Sequence, residues 1–212
     1  MSASPTTTVA AGATWDGLAK YGKWDCLVGS PTNMNGSQSE GQIPHFILSE
    51  GATLKNVIIG DPNLGTGKDL KAGGADGVHC KGNCRIENVY WGDVGEDGAT
   101  MLGNATAGTT MTITGGAAYK GADKIFQNNG NKTRIPISNF YAEEAGKLYR
   151  SCGNCSSQYE RYVTISGVTL YNISTGVGIN SSFDSRKLPA LAGKYDVATM
   201  TDFVSNKSSG RC

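Results

Sequence analysis

Three carboxylates that stand among glycines are the side chains of this chain best suited to chemistry. Asp76 precedes Gly77, and Glu96 and Asp97 lie between two glycines in the run 95–98. Glycine lets the backbone turn sharply and leaves neighbouring oxygens unshielded. Ca²⁺ binds several oxygens and tolerates irregular geometry, so these acids form a candidate site for this ion. A solvated turn would show the same adjacent acids, and their place in a repeat separates the two interpretations.

The repeat consists of an aliphatic residue, a polar residue and then Asn or Gly. Its blocks begin 32, 27, 24 and 28 residues apart, and most are followed by a second short strand. Intervals of this length are typical of solenoids. We therefore predict an all-β fold, a right-handed, single-stranded parallel β-helix. A β-sandwich remains the alternative, because short strands alone do not separate the two folds. The blocks begin at Leu54, Ile86, Ile113, Ile137 and Ile165.

The 212 residues are expected to form one domain. Residues 1–43 precede the regular repeat and are assigned to an N-terminal cap. Residues 183–212 lose the repeat and are assigned to a C-terminal capping tail. The 30 glycines fit a turn-rich β protein better than a helical one.

The charge balance bears on possible partners. A formal net charge of +1 gives no general attraction to nucleic acid or to an anionic membrane. No apolar run reaches membrane-spanning length. We therefore expect no nucleic-acid and no membrane partner, and any selectivity for an acidic ligand must come from a local basic cluster. We also expect a monomer.

Six cysteines form an even set that contains two close pairs. Either pair could bind zinc, but a four-thiolate zinc site usually has its two pairs about 15–20 residues apart. The pairs here are much further apart, which favours disulfides and an oxidising compartment. A nearest-neighbour pattern gives the bridges Cys80–Cys84 and Cys152–Cys155 and leaves Cys26 for Cys212.

The predicted disulfides and the glycosylation sequons both favour secretion. Asn-x-Ser/Thr sequons predict a glycoprotein. No signal-peptide apolar region follows Met1. We expect a mature secreted, extracellular chain whose leader is replaced by a start methionine. Among the sequons are those that begin at Asn104, Asn131, Asn172 and Asn206.

Stacked coils would align charged residues into a groove, because equivalent positions lie about 4.8 Å apart. The pair Glu96-Asp97 falls in one coil, Asp123-Lys124 in the next, and Lys147 with Arg150 in the one after. Acids would thus give way to bases along one face. Such a groove would hold a polyanion through a bridging cation, with a basic side chain beyond it.

Four sequence blocks carry a resemblance to a known family. They are Gly77-Val-His-Cys80, Gly92-Asp-Val-Gly-Glu-Asp97, Gly115-Gly-Ala-Ala-Tyr-Lys-Gly-Ala-Asp-Lys-Ile-Phe-Gln127 and Gly146-Lys-Leu-Tyr-Arg-Ser-Cys-Gly-Asn-Cys155. With these blocks in the same order, the chain from about Phe46 to Arg161 resembles the pectate lyases of polysaccharide lyase family three. That family folds as a short parallel β-helix, in agreement with the repeat.

The resemblance implies Ca²⁺-dependent anti β-elimination of polygalacturonate, the de-esterified form of pectin, to give unsaturated oligogalacturonates. By similarity, Asp76, Glu96 and Asp97 would hold a protein-bound Ca²⁺. Asp123 would lie beside the substrate and ligate a second Ca²⁺ that bridges to it.

The same resemblance assigns the basic residues. Lys124 corresponds to the proposed catalytic base, and Lys147 and Arg150 would bind uronate carboxylates. Lys120, in the same block as Lys124, is also assigned to substrate binding. Arg150 remains the alternative catalytic base, since some β-helix lyases are thought to use an arginine.

The chemistry explains these residue types. Removing the C5 proton of a uronate is hard, because the adjacent carboxylate is already negative, and a bound Ca²⁺ would offset that charge. The base must be uncharged, so Lys124 needs a pKa below the ordinary value of about 10.4, which a nearby cation would provide. We therefore expect an alkaline optimum. Arg150 is less suited as a base because guanidinium stays protonated, while its fork fits a carboxylate.

The chain departs from the family at two positions. The family often has Cys where this chain has Gly95, and often Lys near Leu102. The first departure removes a thiol, and the second removes a possible substrate contact. Two other functions are considered: a polygalacturonase-like hydrolase, which would need clustered acids, and a non-catalytic pectin-binding β-helix.

Overall fold

A computed structural model of the chain describes residues 2–29, 34, 42–60, 75–104, 106–179 and 197–205. The described residues form eighteen strands, β1 to β18, and one short helix, α1. In chain order they are β1 Ser2–Ser4, β2 Thr7–Val9, β3 Thr14–Asp16, α1 Gly17–Tyr21, β4 Cys26–Gly29, β5 Phe46–Leu48, β6 Ala52–Ile59, β7 Val78–Cys80, β8 Cys84–Trp91, β9 Asp97–Met101, β10 Met111–Thr114, β11 Ala117–Tyr119, β12 Lys124–Asn128, β13 Arg134–Ser138, β14 Tyr141–Glu143, β15 Lys147–Ser151, β16 Tyr162–Tyr171, β17 Thr175–Gly178 and β18 Val197–Ser205.

These strands pair in parallel into two sheets. The seven-stranded sheet has the order β17-β15-β12-β9-β7-β5-β2. The eleven-stranded sheet follows β1-β4-β6-β8-β10-β13-β16-β14-β11, with β3 paired to β6 and β18 to β16. The chain passes from one sheet to the other in each coil, which is the predicted parallel β-helix. The β-sandwich alternative is wrong, because a sandwich is built from antiparallel sheets.

The blocks of the repeat stack in register, one on the next. Leu54 pairs with Ile86, and each later block pairs with the one before it up to Ile165. Ile165 then pairs with Met200 of β18, so the stack gains a further rung within the segment assigned to the C-terminal tail. The boundaries of the two capping segments stay predictions, and the described parts of both contribute strands to the sheets.

The third residue of each block takes a left-handed backbone conformation, which bends the strand at the same place in every coil. Only Gly, and to a lesser degree Asn or Asp, adopts this conformation at low cost, which explains the Asn or Gly of the repeat. The φ angles are 56° at Asn56, 51° at Asn88, 67° at Gly115, 53° at Asn139 and 62° at Gly167.

The glycine that follows this corner in the coil of β10 allows a first prediction. Gly116 has a φ of 92°, and a Cβ there would collide with the backbone oxygen of Val89. Gly12 has a φ of 69° but open space around it. We expect Gly12→Ala to lose about 1–2 kcal/mol of unfolding free energy from the backbone alone, and Gly116→Ala to lose clearly more. Urea unfolding measures both, and equal losses would contradict the packing argument.

Aromatic and aliphatic side chains fill the interior between the sheets. The rings of Trp91, Phe126 and Phe140 pack edge to face with centroids 5.2–6.2 Å apart. Near the N-terminus, Trp15 packs against Phe46 at 4.9 Å. This core fixes the outward-facing residues on each rung, and therefore the site.

Helix α1 is a feature that the repeat did not indicate. The side chain of Asp16 caps it by accepting hydrogen bonds from the backbone N–H groups of Leu18 and Ala19, and Gly22 ends it with a φ of 68°. Within the described part of the chain, no helix has both the length and the apolar character needed to cross a membrane.

Candidate active site

The charged residues meet where three neighbouring strands of the seven-stranded sheet begin. Asp97, Lys124 and Lys147 are the first residues of β9, β12 and β15, and the sheet places them side by side. Strand register therefore aligns acid and base across three coils, as the sequence predicts.

A buried carboxylate cluster forms one end of this row. Oxygens of Asp76, Glu96 and Asp97 all lie within 4.8 Å of one another. The turns that carry them are joined by a 2.7 Å hydrogen bond from the N–H of Glu96 to the carbonyl of Ala75. A Cβ on Gly95 would collide with that carbonyl. Gly95 therefore permits the close approach of the two turns, and this packing leaves no room for the cysteine that the family often has here.

Lys124 lies within the carboxylate cluster. Its Nζ is 2.8 Å from Oε1 of Glu96 and 3.0 Å from Oδ1 of Asp97. A third carboxylate, Asp123, has an oxygen 3.5 Å away. Because the Lys124 side chain is only 10% exposed, these contacts are weakly screened by water.

Burial and charge act strongly on Asp97. Burial raises the pKa of its carboxyl to about 7, and the negative charge of Glu96 acts in the same direction. The Lys124 ammonium and a 2.8 Å hydrogen bond from the Thr100 hydroxyl oppose this rise. Asp97 therefore titrates near neutrality when only protein groups surround it.

For Lys124, burial has a smaller effect on the pKa than the neighbouring charged groups have together. Burial alone would lower the pKa of Lys124, but the charge of Asp97 and the hydrogen bond to Glu96 outweigh burial and raise the pKa above its ordinary value. The sequence-based expectation of a lowered pKa assumed a neighbouring cation. With carboxylates as its neighbours, the amine is held protonated.

The cluster fits a hard cation such as Ca²⁺. Its ligands are carboxylate oxygens, which this ion prefers. Oδ1 of Asp76 is buried and, among the described residues, has no hydrogen-bond partner. The Lys124 ammonium already shows that the pocket favours positive charge. Asp76, Glu96 and Asp97 are thus the residues that would hold the ion.

Two supporting residues were missed by the sequence analysis. His79 Nε2 lies 2.6 Å from Oδ2 of Asp76. The hydroxyl of Thr100 donates a hydrogen bond to Oδ2 of Asp97. Each partner follows its aspartate by three residues, and His79 pairs with Thr100 across β7 and β9. The shared spacing of three residues was the available signal in the sequence.

A small polar cavity of about 150 Å³ opens over the cluster. Leu102 lines it, near the position where the family often has lysine. Asn129 and Asn154, which the sequence analysis also missed, come from the ends of two later coils. The full lining is Asp76, His79, Glu96, Asp97, Thr100, Leu102, Lys124, Asn129 and Asn154.

Asp123 and Lys147 form an exposed pair beside the cluster. Lys147 Nζ donates a hydrogen bond to Oδ1 of Asp123. Burial would raise the pKa of Asp123, but this bond and the charges of Lys147 and Lys124 hold it below its ordinary value. Asp123 is not part of the three-acid cluster, which suits a residue that would meet an ion only together with substrate.

Arg150 lies three residues further along β15 from Lys147, about 10 Å away along the strand. It pairs with Gln127 in the next strand and donates a hydrogen bond to the carbonyl of Ile179 at 3.2 Å. Its side chain packs between two glycines, since a Cβ on Gly153 or Gly178 would collide with it. The structure does not place Arg150 in the cavity that holds Lys124.

Gly153 is therefore expected to position Arg150. The residue does not have a positive φ, so Gly153→Ala should fold normally and displace only the guanidinium. If Arg150 binds a uronate carboxylate, the KM for polygalacturonate should rise about tenfold, as for one lost charge-assisted hydrogen bond. Initial-rate kinetics measure the change, with Ser156→Ala in the same loop as control. An unchanged KM would contradict the role of Gly153.

Lys120, which was assigned to substrate binding, lines a different cavity from Lys124. It has a φ of 61° at the end of β11 and lines an apolar cavity with Tyr90 and Tyr119. Its assignment to substrate binding in the groove stays a prediction.

Two of the three predicted disulfides lie in the described part of the chain. Cys80 is bonded to Cys84, and Cys152 to Cys155. The first bridge joins the ends of β7 and β8, and the second closes the loop that carries Gly153. The thiol of Cys26 donates to the carbonyl of Gly60 at 3.2 Å. Cys212 lies outside the described residues, so the Cys26–Cys212 bridge stays a prediction.

The structure is thus a parallel β-helix in which buried carboxylates and basic side chains lie side by side at one edge of a sheet. The model of the pectate lyase family matches residues 1–190. The chain belongs to this family, whose members are polysaccharide lyases.

Relatives and solved structures agree with the family match. The chain is 46% identical over 181 residues to the probable pectate lyase F of Aspergillus terreus, covering 85% of this chain and 70% of that protein. It is 40% identical to the pectate lyase H of Emericella nidulans, covering 89% of this chain and 65% of that protein. The catalytic domain of the pectate lyase PelI of Erwinia chrysanthemi superposes with a TM-score of 0.68 at 30% identity, covering 96% of this chain and 80% of that domain. PelI has also been solved in complex with tetragalacturonic acid, with a TM-score of 0.65 at 30% identity, covering 96% of this chain and 55% of that one.

Proposed function

We propose that the chain is a secreted, Ca²⁺-dependent pectate lyase that cleaves polygalacturonate by β-elimination. The observation that carries this proposal is the position of the Lys124 side chain. Its Nζ lies within 3.0 Å of a carboxylate oxygen of both Glu96 and Asp97. An amine beside a cation-binding carboxylate cluster can exchange a proton with a substrate drawn to that cluster. The two disulfides support an oxidising, extracellular setting.

The elimination assigns one role to each basic residue. Lys124 Nζ accepts the C5 proton of a uronate in its neutral form. A Ca²⁺ held by the acid cluster would favour that form, because the cation would offset the carboxylate charges that raise the pKa of Lys124. The electrons of the C5–H bond form a C4–C5 double bond. The glycosidic oxygen leaves with the electrons of its bond to C4 and takes a proton from solvent water to become a hydroxyl group. Lys147 and Arg150 bind the carboxylates of neighbouring sugar units. A Ca²⁺ held by Asp76, Glu96 and Asp97 would offset the uronate charge and make the C5 proton more acidic.

The cluster geometry disfavours a hydrolase. Glycosidases use a pair of carboxyl groups about 5–9.5 Å apart, with space for a sugar or a water between them. Here the acid oxygens lie within 4.8 Å of one another, and a lysine lies among them. This arrangement suits the binding of a cation better than acid and base roles on either side of a glycosidic bond.

The test is a single assay of polygalacturonate cleavage at alkaline pH, followed by the ultraviolet absorbance of the unsaturated product. We expect absorbance to rise with Ca²⁺, to stop after a chelator is added, and to resume when Ca²⁺ is restored. New reducing ends without absorbance would identify a hydrolase. Binding of polygalacturonate without any product would identify a non-catalytic protein.

A further inference from the structure

Four tyrosines project outward from one side of the β-helix, away from the charged groove. Tyr90 and Tyr171 are 36% and 49% exposed, and Tyr119 and Tyr141 are half-buried. They alternate along their strands with buried residues, as outward-facing positions of a strand must. We call these four residues the aromatic face. The alternating buried residues are Trp91, Ala118, Ala142 and Leu170.

Strand register arranges the aromatic face as two staggered columns. Tyr90 and Tyr141 both pair with Ala117, so they lie two rungs apart, about 9.6 Å. Tyr119 and Tyr171 both pair with Glu143 and have the same separation. Aromatic rings therefore recur along the helix axis at a regular interval, which suits a ligand that is itself a repeating chain.

A cavity lies between the first two rings. It has a volume of about 360 Å³ and is lined by Ile58, Tyr90, Gly92, Tyr119 and Lys120. Trp24 extends it, because its ring packs edge to face on Tyr90 at 5.3 Å and is 42% exposed. Exposed large apolar side chains grouped in this way mark binding surfaces.

Charge separates the aromatic face from the groove. Lys120 contributes one positive charge and Glu143 one negative charge, and the hydroxyl of Tyr141 donates to Oε2 of Glu143 at 2.9 Å. Lys120 and Glu143 are of opposite sign, so this pair gives the face no net positive charge that would attract a polyanion. Tyrosine offers an apolar ring with a polar hydroxyl, which matches a sugar ring with its C–H face and its hydroxyls.

We propose that the aromatic face binds a neutral glycan chain, with sugar rings stacked on the tyrosines. The surface is separate from the site of cleavage but close to it in the chain. Residues 92–96 link Tyr90 to the strand that begins with Asp97, and residues 120–123 link Tyr119 to Lys124. The enzyme would thereby be anchored to uncharged polysaccharide while its groove takes an acidic chain.

The test is native electrophoresis of the full chain in gels that contain xyloglucan, a soluble neutral polysaccharide, or polygalacturonate, or neither. We expect xyloglucan to retard the wild type. Tyr171→Ala should weaken this binding about tenfold, as when one aromatic anchor of an interface is removed, and Tyr171→Trp should restore it. Tyr162→Ala is the matched control, because Tyr162 is at the other end of β16 and stacks on Arg134 at 4.2 Å.

Two results would overturn the proposal. One is the absence of retardation by xyloglucan in the wild type, or retardation by polygalacturonate alone. The other is equal weakening by Tyr171→Ala and Tyr162→Ala, which would show that the aromatic face is not the binding surface. The assay needs no turnover, so its failure is distinct from a failure of the lyase assignment. Tyr171→Ala should cleave soluble polygalacturonate at the wild-type rate, which also shows that the variant folds.

Discussion

Lys124→Met is expected to lower the kcat for polygalacturonate cleavage by about 10²–10⁴, the usual contribution of a positioned general base. Methionine keeps an unbranched side chain of similar length but cannot accept the C5 proton. Polygalacturonate should still bind, because Lys147 and Arg150 are unchanged. Initial rates at saturating Ca²⁺ and substrate measure the effect.

The control for this variant is Lys55→Met, which removes a lysine from an ion pair with Asp16 at 3.3 Å in an early coil. Its kcat should equal that of the wild type. A Lys124→Met enzyme that retains wild-type kcat would contradict the assignment and move the catalytic base to Arg150 or Lys147. Retained binding by the inactive variant would show that the loss is chemical.

Asp97→Asn is expected to weaken Ca²⁺ binding by at least the 10–100-fold that changes around metal ligands usually cost. The variant removes one of the three charges that would hold the ion, and charge count sets affinity at such sites. Calorimetric titration with Ca²⁺ measures the change. Glu143→Gln, on the aromatic face, is the control and should bind Ca²⁺ as the wild type does. Wild-type affinity in Asp97→Asn would exclude Asp97 as a ligand.

Asp97→Asn should weaken Ca²⁺ binding, but in the presence of a chelator it should raise the free energy of unfolding. The folded chain holds the Asp97 proton with a pKa of about 7, above the ordinary value of 3.8. This contribution to folding is therefore present at low pH and is lost as pH rises through about 7, by on the order of 4 kcal/mol. Asparagine avoids that loss.

Urea unfolding above pH 7 separates the two effects. In chelator, Asp97→Asn should be more stable than the wild type. With Ca²⁺ the order should reverse, because only the wild type gains stability from binding the ion. A variant that is less stable than the wild type in chelator would contradict the unfavourable burial of the Asp97 charge.

The repeat was the most informative feature of the sequence. The spacing from Leu54 to Ile165 predicted which residues stack, and the structure pairs the blocks in that register. Because register then aligns the residues that follow each corner, the meeting of Asp97, Lys124 and Lys147 was also predictable.

The features that the sequence did not reveal depend on how turns fold back. Helix α1 has only five residues, which is too short to show a helical period in the sequence, and it depends on the N-cap Asp16. The partner of Asp76 is His79, and that contact depends on the turn at residues 75–77. Lys120 and Lys124 are four residues apart but line different cavities, because a turn separates their strands. The spacing of residues in the sequence does not determine the direction in which a turn points their side chains.

The most direct test of elimination is cleavage of polygalacturonate in water labelled with heavy oxygen, followed by mass spectrometry of the products. Elimination breaks the glycosidic bond without adding water. We therefore expect product pairs whose unsaturated member is one water lighter than a hydrolysis product and carries no label at the broken bond. One labelled oxygen incorporated at each cleavage would show hydrolysis and would contradict Lys124 as the base of a lyase.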